Sequence, residues 1–433
     1  MSSPSHDGRR SQQYCHAIPA KRPRSRIDLV DALRGSALLG LLLLHCVEHF
    51  GVAHYARQSP AWLKQIDAAT IWAAHYLMAD KAYAIFALLF GFSFFLILDG
   101  AAQRGVDGRG RYLWRLGVLG IIGYLHCIIY RGDFLLVLAL VGLPLVLFYY
   151  ADTKLIGILA AILLLLPGPS LWKALGSLSG GHVPAQILHW EHSEEMNHVY
   201  VGGSFAATCA FNLWKGQMFR FWYTIESGRY LHMAGLFLCG LLLGRSRVFE
   251  DSIRSLRFGR RVAILGLVGL AIYYLLKHQV GSWGFSGMAR HTLGNVARSY
   301  RNLSQMALWL GGFVWLYCGT RVRPLLLLLA PYGRMSLTSY VAQAVVGVPL
   351  FYGFGLALFR NMGPFYSILY GVAFFVIQCT FAHLWLMRFY YGPLEWLWRA
   401  ATFLSFAIPM RKLDQKQIPE SAPAAGSRYE RFW

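Results

Sequence analysis

The sequence predicts an all-α integral membrane protein, a helical bundle of about ten transmembrane segments. Three observations lead there. The 433 residues are 56% hydrophobic and 14% charged. They include 28 Phe, 24 Tyr and 14 Trp, more aromatic bulk than one soluble core of this length would need. Apolar runs of about twenty residues recur along the chain, and the basic residues fall in short tracts between them.

Residues 1–26 are polar and basic and lack an apolar stretch followed by a small-residue cleavage site, so they read as a disordered cytoplasmic tail. Residues 27–405 form the membrane domain, with predicted spans at 29–51, 82–103, 112–130, 133–150, 154–174, 229–246, 260–279, 303–320, 333–354 and 365–388. The segments 66–79 and 205–225 are apolar and aromatic but interrupted, which suits interfacial or re-entrant pieces. Residues 406–433 form a second tail. Lys and Arg crowd the N-terminal tail, the tract around Arg104, Arg109 and Arg111, the tract Arg245–Arg261 and the pair Arg321 and Arg323. These alternate connections put both termini in the cytoplasm and the loop 175–228 outside.

The 41 Lys and Arg outnumber 20 Asp and Glu, yet their dispersal in loops points to membrane topology and away from nucleic acid. Seven cysteines include no CxxC pair, and Cys46, Cys127, Cys239, Cys318 and Cys379 lie in apolar runs as small hydrophobes. In HWEHSEEMNH, the residues His189, His192, Glu194, Glu195 and His198 are of metal-ligand type. They lack a recognised spacing, so the reading is a solvated loop with no metal. No P-loop, dinucleotide fingerprint or nucleophile elbow stands out.

Arg34 and His45 are the leading candidates. Eleven positions are close to three helical turns, so both project from one face of the first span, about 16 Å apart. Ionisable groups inside a span face a bundle interior or a watery cavity and mark a functional site by default. Glu48 and His49 follow three and four positions after His45 on nearly the same face, so Glu48 could orient the imidazole. Asp80 and Lys81 open the second span as caps. Arg131-Gly132-Asp133 forms a polar turn in which Asp133 caps the next helix or serves His45. His126, His232 and His383 stand alone on apolar segments and read as core. The ninth span opens with PYGRMSLTSYVAQ, where Arg334 calls for a partner and a phosphate is one option. In YYGPLEWLWR, Glu395 and Arg399 have i, i+4 spacing, and the two tryptophans suit a surface-anchored helix.

The blocks IDLVDALRGSALLG at 27–40, FALLFGFSF at 86–94, GDFLLVLALVG at 132–142, GRMSLTSY at 333–340 and GPLEWLWR at 392–399 resemble, in order, those of the YeiB-like bacterial membrane family, a domain of unknown function. The resemblance implies a bundle of ten or so helices in the bacterial inner membrane. It also implies distant kinship with transmembrane acyltransferases: the acyltransferase-3 group and heparan-α-glucosaminide N-acetyltransferase. In the former, an Arg-x10-His pattern in the first span is linked to activity, and Arg34 and His45 match it. Many YeiB-like chains carry Asn where this one has His45. The lysosomal enzymes place a catalytic histidine beyond the first span, where this chain has His49 and His54.

The expected function is transfer of an acyl group, acetyl in the first instance, from cytoplasmic acyl-CoA to an envelope glycan or lipid-linked acceptor. Arg34 and Arg334 would meet the donor phosphates, His45 would act as base or acyl carrier, and Glu48 or Asp133 would orient it. The alternative is a transporter for a small solute or lipid-linked sugar, which buried polar groups in a ten-span bundle suit as well. A scaffold without chemistry would tolerate loss of Arg34 and His45. The lipid bilayer is the expected partner, and homo-oligomerisation stays open.

Overall fold

Leucine- and alanine-rich stretches punctuated by Gly, Pro and short basic turns fold here into helices and almost nothing else. The computed structural model describes residues 27–48, 50, 60–166, 191–280 and 287–412, all within one unit, Ile27–Ile418. The expected tail 1–26, most of the second tail, His49, His54, His189 and the first part of the loop 175–228 lie outside the described residues.

The first half comprises α1 (Asp28–Glu48), α2 (Ala61–Leu77), α3 (Ala82–Ala102), α4 (Arg109–Ile129), α5 (Leu135–Gly142), α6 (Leu145–Phe148) and α7 (Thr153–Leu165). Then come α8 (Ser193–Gly202), α9 (Phe205–Phe211), a π-turn at Asn212–Gly216, α10 (Gln217–Glu226) and α11 (Arg229–Ser246). The last part comprises α12 (Ser252–Val280), α13 (Gly287–Gly319), α14 (Arg323–Leu327), α15 (Ala330–Arg334), α16 (Ser336–Phe351), α17 (Pro364–Arg388) and α18 (Pro393–Phe403). Phe389 and Arg411 form an isolated antiparallel bridge.

Local chemistry sets many boundaries. Asp152 caps α7 by accepting from the N–H groups of Lys154 and Leu155 at 2.8 and 3.3 Å, and Ser204 caps α9 from Ala207 at 3.1 Å. Pro364 and Pro393 occupy first helical positions, where a missing N–H costs nothing.

Five helical stretches are long and apolar enough to cross a membrane: Asp28–Glu48, Ala61–Ala102, Arg109–Ile129, Ser252–Lys277 and Pro364–Arg388. A sixth arises if Leu293–Gly319 and Arg323–Arg334, bent by 117°, are one span. Helices occupy all ten predicted positions, but several are short or broken. The expected span 133–150 is two pieces, because Pro144 lacks an N–H and its ring collides with the preceding turn. The expected span 333–354 starts only after a turn at Met335, which separates α15 from α16. The interrupted segments 66–79 and 205–225 are helical, the second through the π-turn.

α1 is the axis of the molecule. It is apolar nearly all round and correspondingly buried, against α3, α13, α15, α16 and α17. Close contact depends on glycine at two crossings: a Cβ on Gly333 would overlap the Asp31 carbonyl oxygen, and one on Gly240 would overlap that of Leu88. α12 and α17, by contrast, present rows of exposed apolar side chains, among them Leu265, Leu267, Leu275, Ile377 and Leu384. Apolar surface of that extent belongs against lipid or protein.

Candidate functional site

Two helices carry the same polar pair. Arg34 and His45 are eleven positions apart on α1, and Arg115 and His126 are eleven apart on α4. The fold brings like to like. Both imidazoles pack on the same two tyrosines: His45 is 5.3 Å from Tyr130 and 5.9 Å from Tyr340 between ring centroids, and His126 is 5.8 and 5.3 Å from the same rings. At the other end the charges of Arg399 and, more weakly, Arg34 reach Arg115. The two helices therefore run in the same direction, the arginines toward one end and the imidazoles together at the other.

His126 is 4% exposed and Asp133 is fully buried. His126 Nδ1 and Asp133 Oδ1 are 2.8 Å apart. This pairing fixes the tautomer: Nδ1–H donates to the carboxylate, leaving Nε2 as acceptor. Nε2 is buried and has no hydrogen-bond partner among the described residues. The other Asp133 oxygen accepts from the Leu136 N–H at 3.1 Å, so the residue caps α5 as well as holding the imidazole. His45 is 5% exposed and also packs on Phe50 at 6.3 Å. Gln343 stands within hydrogen-bonding reach of its ring. Gln343 Nε2 in turn donates to Tyr332 Oη at 3.0 Å, Tyr332 to Gln378 Oε1 at 3.1 Å, and Gln378 to the Ser339 carbonyl at 3.1 Å. Tyr340 Oη donates to the Gly132 carbonyl at 3.4 Å, tying α16 to the turn that carries Asp133.

The π-turn roofs this cluster. Asn212 donates to the Ile128 carbonyl at 3.0 Å and accepts from Tyr200 Oη at 2.5 Å, pinning the turn to the end of α4. Arg220 on α10 comes near enough for its charge to act on His45, Tyr130 and Tyr340.

At the opposite end of α1, Arg334 is clasped by Asp28 at 2.6 Å and Asp31 at 3.3 Å. Asp31 also accepts from Arg34 at 2.9 Å, and Arg34 donates to Ser93 Oγ at 2.6 Å. Arg115 lies 3.6 Å from the centroid of Trp398, whose indole N–H donates to the Arg115 carbonyl at 2.9 Å. Glu395 accepts from the N–H groups of Leu337 and Thr338 at 2.7 and 3.1 Å and from Thr338 Oγ1 at 2.5 Å. Burial pushes its carboxyl above the usual carboxylate range, against the pull of those bonds.

Several expected roles move. Glu48 pairs with His75 at 3.0 Å. Asp133 serves His126. Asp80 does not cap α3: in a left-handed backbone conformation it bridges Arg229 at 2.6 Å and Asn302 at 2.8 Å. Lys81, only 1% exposed, donates to the His75 carbonyl at 3.2 Å. Glu395 turns away from Arg399 to cap α16, and Arg334 is already occupied by two carboxylates. His383 is exposed and is not core. In the loop, Glu195 binds Lys215 at 2.6 and 2.7 Å. His126, Arg115 and Arg220 went unrecognised in the sequence, although the repeated spacing of arginine and histidine was there to find.

Residues 243–405 match the model of a family described as protein of unknown function (DUF418). The chain is 27% identical over 402 residues to the uncharacterized protein YxaH of Bacillus subtilis (strain 168), covering 88% of this chain and 95% of that protein. It is 27% identical over 400 residues to the uncharacterized protein YeiB of Escherichia coli (strain K12), covering 86% and 95%. The resemblance to the YeiB-like family holds. These YeiB-like relatives are named as uncharacterized, so the assignment carries no activity with it. No solved structure matches the chain. The family model takes in Arg334, Tyr340, Gln343 and Glu395. His45, His126 and Asp133 lie before the part that the family model matches.

Proposed function

We propose that the protein is a ten-span plasma-membrane acyltransferase, with both termini cytoplasmic, moving an acetyl or similar group from cytoplasmic acyl-CoA to an envelope glycan or lipid-linked acceptor. The meeting of His45 with the His126–Asp133 pair at one end of α1 and α4, and of their arginines at the other, carries this reading.

In it, His126 Nε2 takes the proton from an acceptor hydroxyl while Asp133 steadies the resulting imidazolium, as in hydrolytic triads. The hydroxyl oxygen attacks the thioester carbonyl, His45 lends an N–H to the developing oxyanion, and the C–S bond breaks. The proton on His126 passes to the departing thiolate, so the protein returns to its starting state. At the other end Arg115, Arg34 and Arg399, beside the flat indole of Trp398, suit the donor's phosphates and adenine ring better than Arg334 does.

Membranes containing the protein, given radiolabelled acetyl-CoA and envelope extract, should release CoA and place label on lipid or glycan. His126→Gln should reduce transfer by about 10²-fold or more and His45→Ala by a smaller factor. Full transfer by His126→Gln would overturn the role of the dyad.

One observation favours transport as the second reading. Leu38 and Leu41, on the same face of α1 between Arg34 and His45, are packed into the core, so the polar ends are separated as in a closed carrier. Solute uptake into proteoliposomes without CoA release would select this reading.

A further inference from the structure

Arg131 and Arg220 lie beside the histidine cluster, and among the described residues neither forms an ion pair. Arg131 follows α4 directly, with its guanidinium carbon 5.5 Å from the centroid of Tyr200 and 5.4 Å from that of Phe219. It donates one N–H toward Met196 Sδ, a weak acceptor. Arg220 donates to the Arg131 carbonyl at 3.3 Å. In both side chains Nε is buried and makes no hydrogen bond. Asp133 is spent on His126 and the Leu136 N–H. The Arg131 guanidinium thus lies on an aromatic bed and the Arg220 guanidinium reaches the Arg131 backbone, each side chain with an unused donor. Nε and Nη of a guanidinium form a fork that matches two oxygens of one phosphate.

We infer that Arg131 and Arg220 hold the phosphate of a phosphorylated ligand beside His126 and His45. Calling that ligand the acyl acceptor rests on the function proposed above; the phosphate site itself does not. The phosphate belongs either to a lipid headgroup or to a soluble phosphoester.

The test uses the full chain in dodecyl maltoside and phosphate-free buffer, with glycerol 1-phosphate and dihexanoyl phosphatidylglycerol as probes in titration calorimetry. The wild type should bind at least one of them. Arg220→Gln and Arg131→Gln should each weaken binding tenfold or more, Arg220→Lys should restore part of it, and Arg109→Gln, which alters an exposed arginine already paired with Asp107, should change nothing. Binding of the lipid probe alone assigns a lipid-linked ligand, and equal binding of both assigns a phosphoester recognised without its lipid. Failure of the wild type to bind either probe below millimolar concentration overturns the inference, as does unaltered binding by both glutamine variants. Melting curves run alongside confirm that each variant folds, with Arg220→Lys as the conservative fallback. Phosphate binding without acyl transfer would leave this inference standing and remove the transferase; transfer with unchanged KM in Arg220→Gln would do the reverse.

Discussion

His126 derives its chemical interest from Asp133, seven positions later and across a tight turn. Without the carboxylate either ring nitrogen could carry the proton, and the unpartnered Nε2 would lose its fixed role as acceptor. Asp133→Asn keeps the shape and the cap on α5 but favours the wrong tautomer. It should lower acyl transfer by about 10²–10⁴-fold with little change in melting temperature; normal transfer in the same radiolabel assay would show that Asp133 is only a cap. The sequence made Arg34 and His45 legible, because charge within an apolar run stands out whatever the fold. His126 was not, since a lone histidine on an apolar helix shows no partner until α5 folds back and sets Asp133 beneath it. Glu395 misled in the opposite way: its spacing to Arg399 is that of a helix-surface pair, but packing turns it to the exposed backbone of α16.

Between elements, glycine decides where the charged groups of α1 and α15 meet. Gly333 lets α15 lie directly on the Asp31 carbonyl, and the next residue, Arg334, then reaches both Asp28 and Asp31. Gly333→Ala must push α15 outward. A loss of ~1–3 kcal/mol is expected from such overpacking, visible as a lower melting temperature in detergent, whereas an unchanged melt would mean that the crossing has slack. Hydropathy placed a helix at each predicted span but missed the polar helix α8 and the short α14, and it overestimated how many are single spans. Run length alone cannot show that Pro144 splits one apolar stretch or that Met335 separates another, because both breaks are backbone events within sequence that stays apolar.

Over the whole molecule, the basic tracts near Arg104, Arg254 and Arg321 lie at connections that the positive-inside rule assigns to the cytoplasm, as does the chain beyond α18. A fluorescent reporter fused after Lys412 should therefore glow in the cytoplasm. A cysteine replacing Glu194 should react with a membrane-impermeant maleimide added from outside. Labelling only after lysis would invert the topology and with it the assignment of donor and acceptor ends.

α18 is short, carries Trp396 and Trp398, and suits the bilayer surface, yet its Glu395 grips the opening turn of α16 through three hydrogen bonds. Tyr340, less than one turn beyond Thr338, is the ring on which both histidines rest. A lever thus runs from α18 to the histidine cluster, and in the acyltransferase reading it would link the lipid headgroups to the reacting centre. Crowding, thinning or a change of charge in one leaflet that tilts α18 would shift Tyr340, so the pace of the chemistry would answer to the state of the membrane around it.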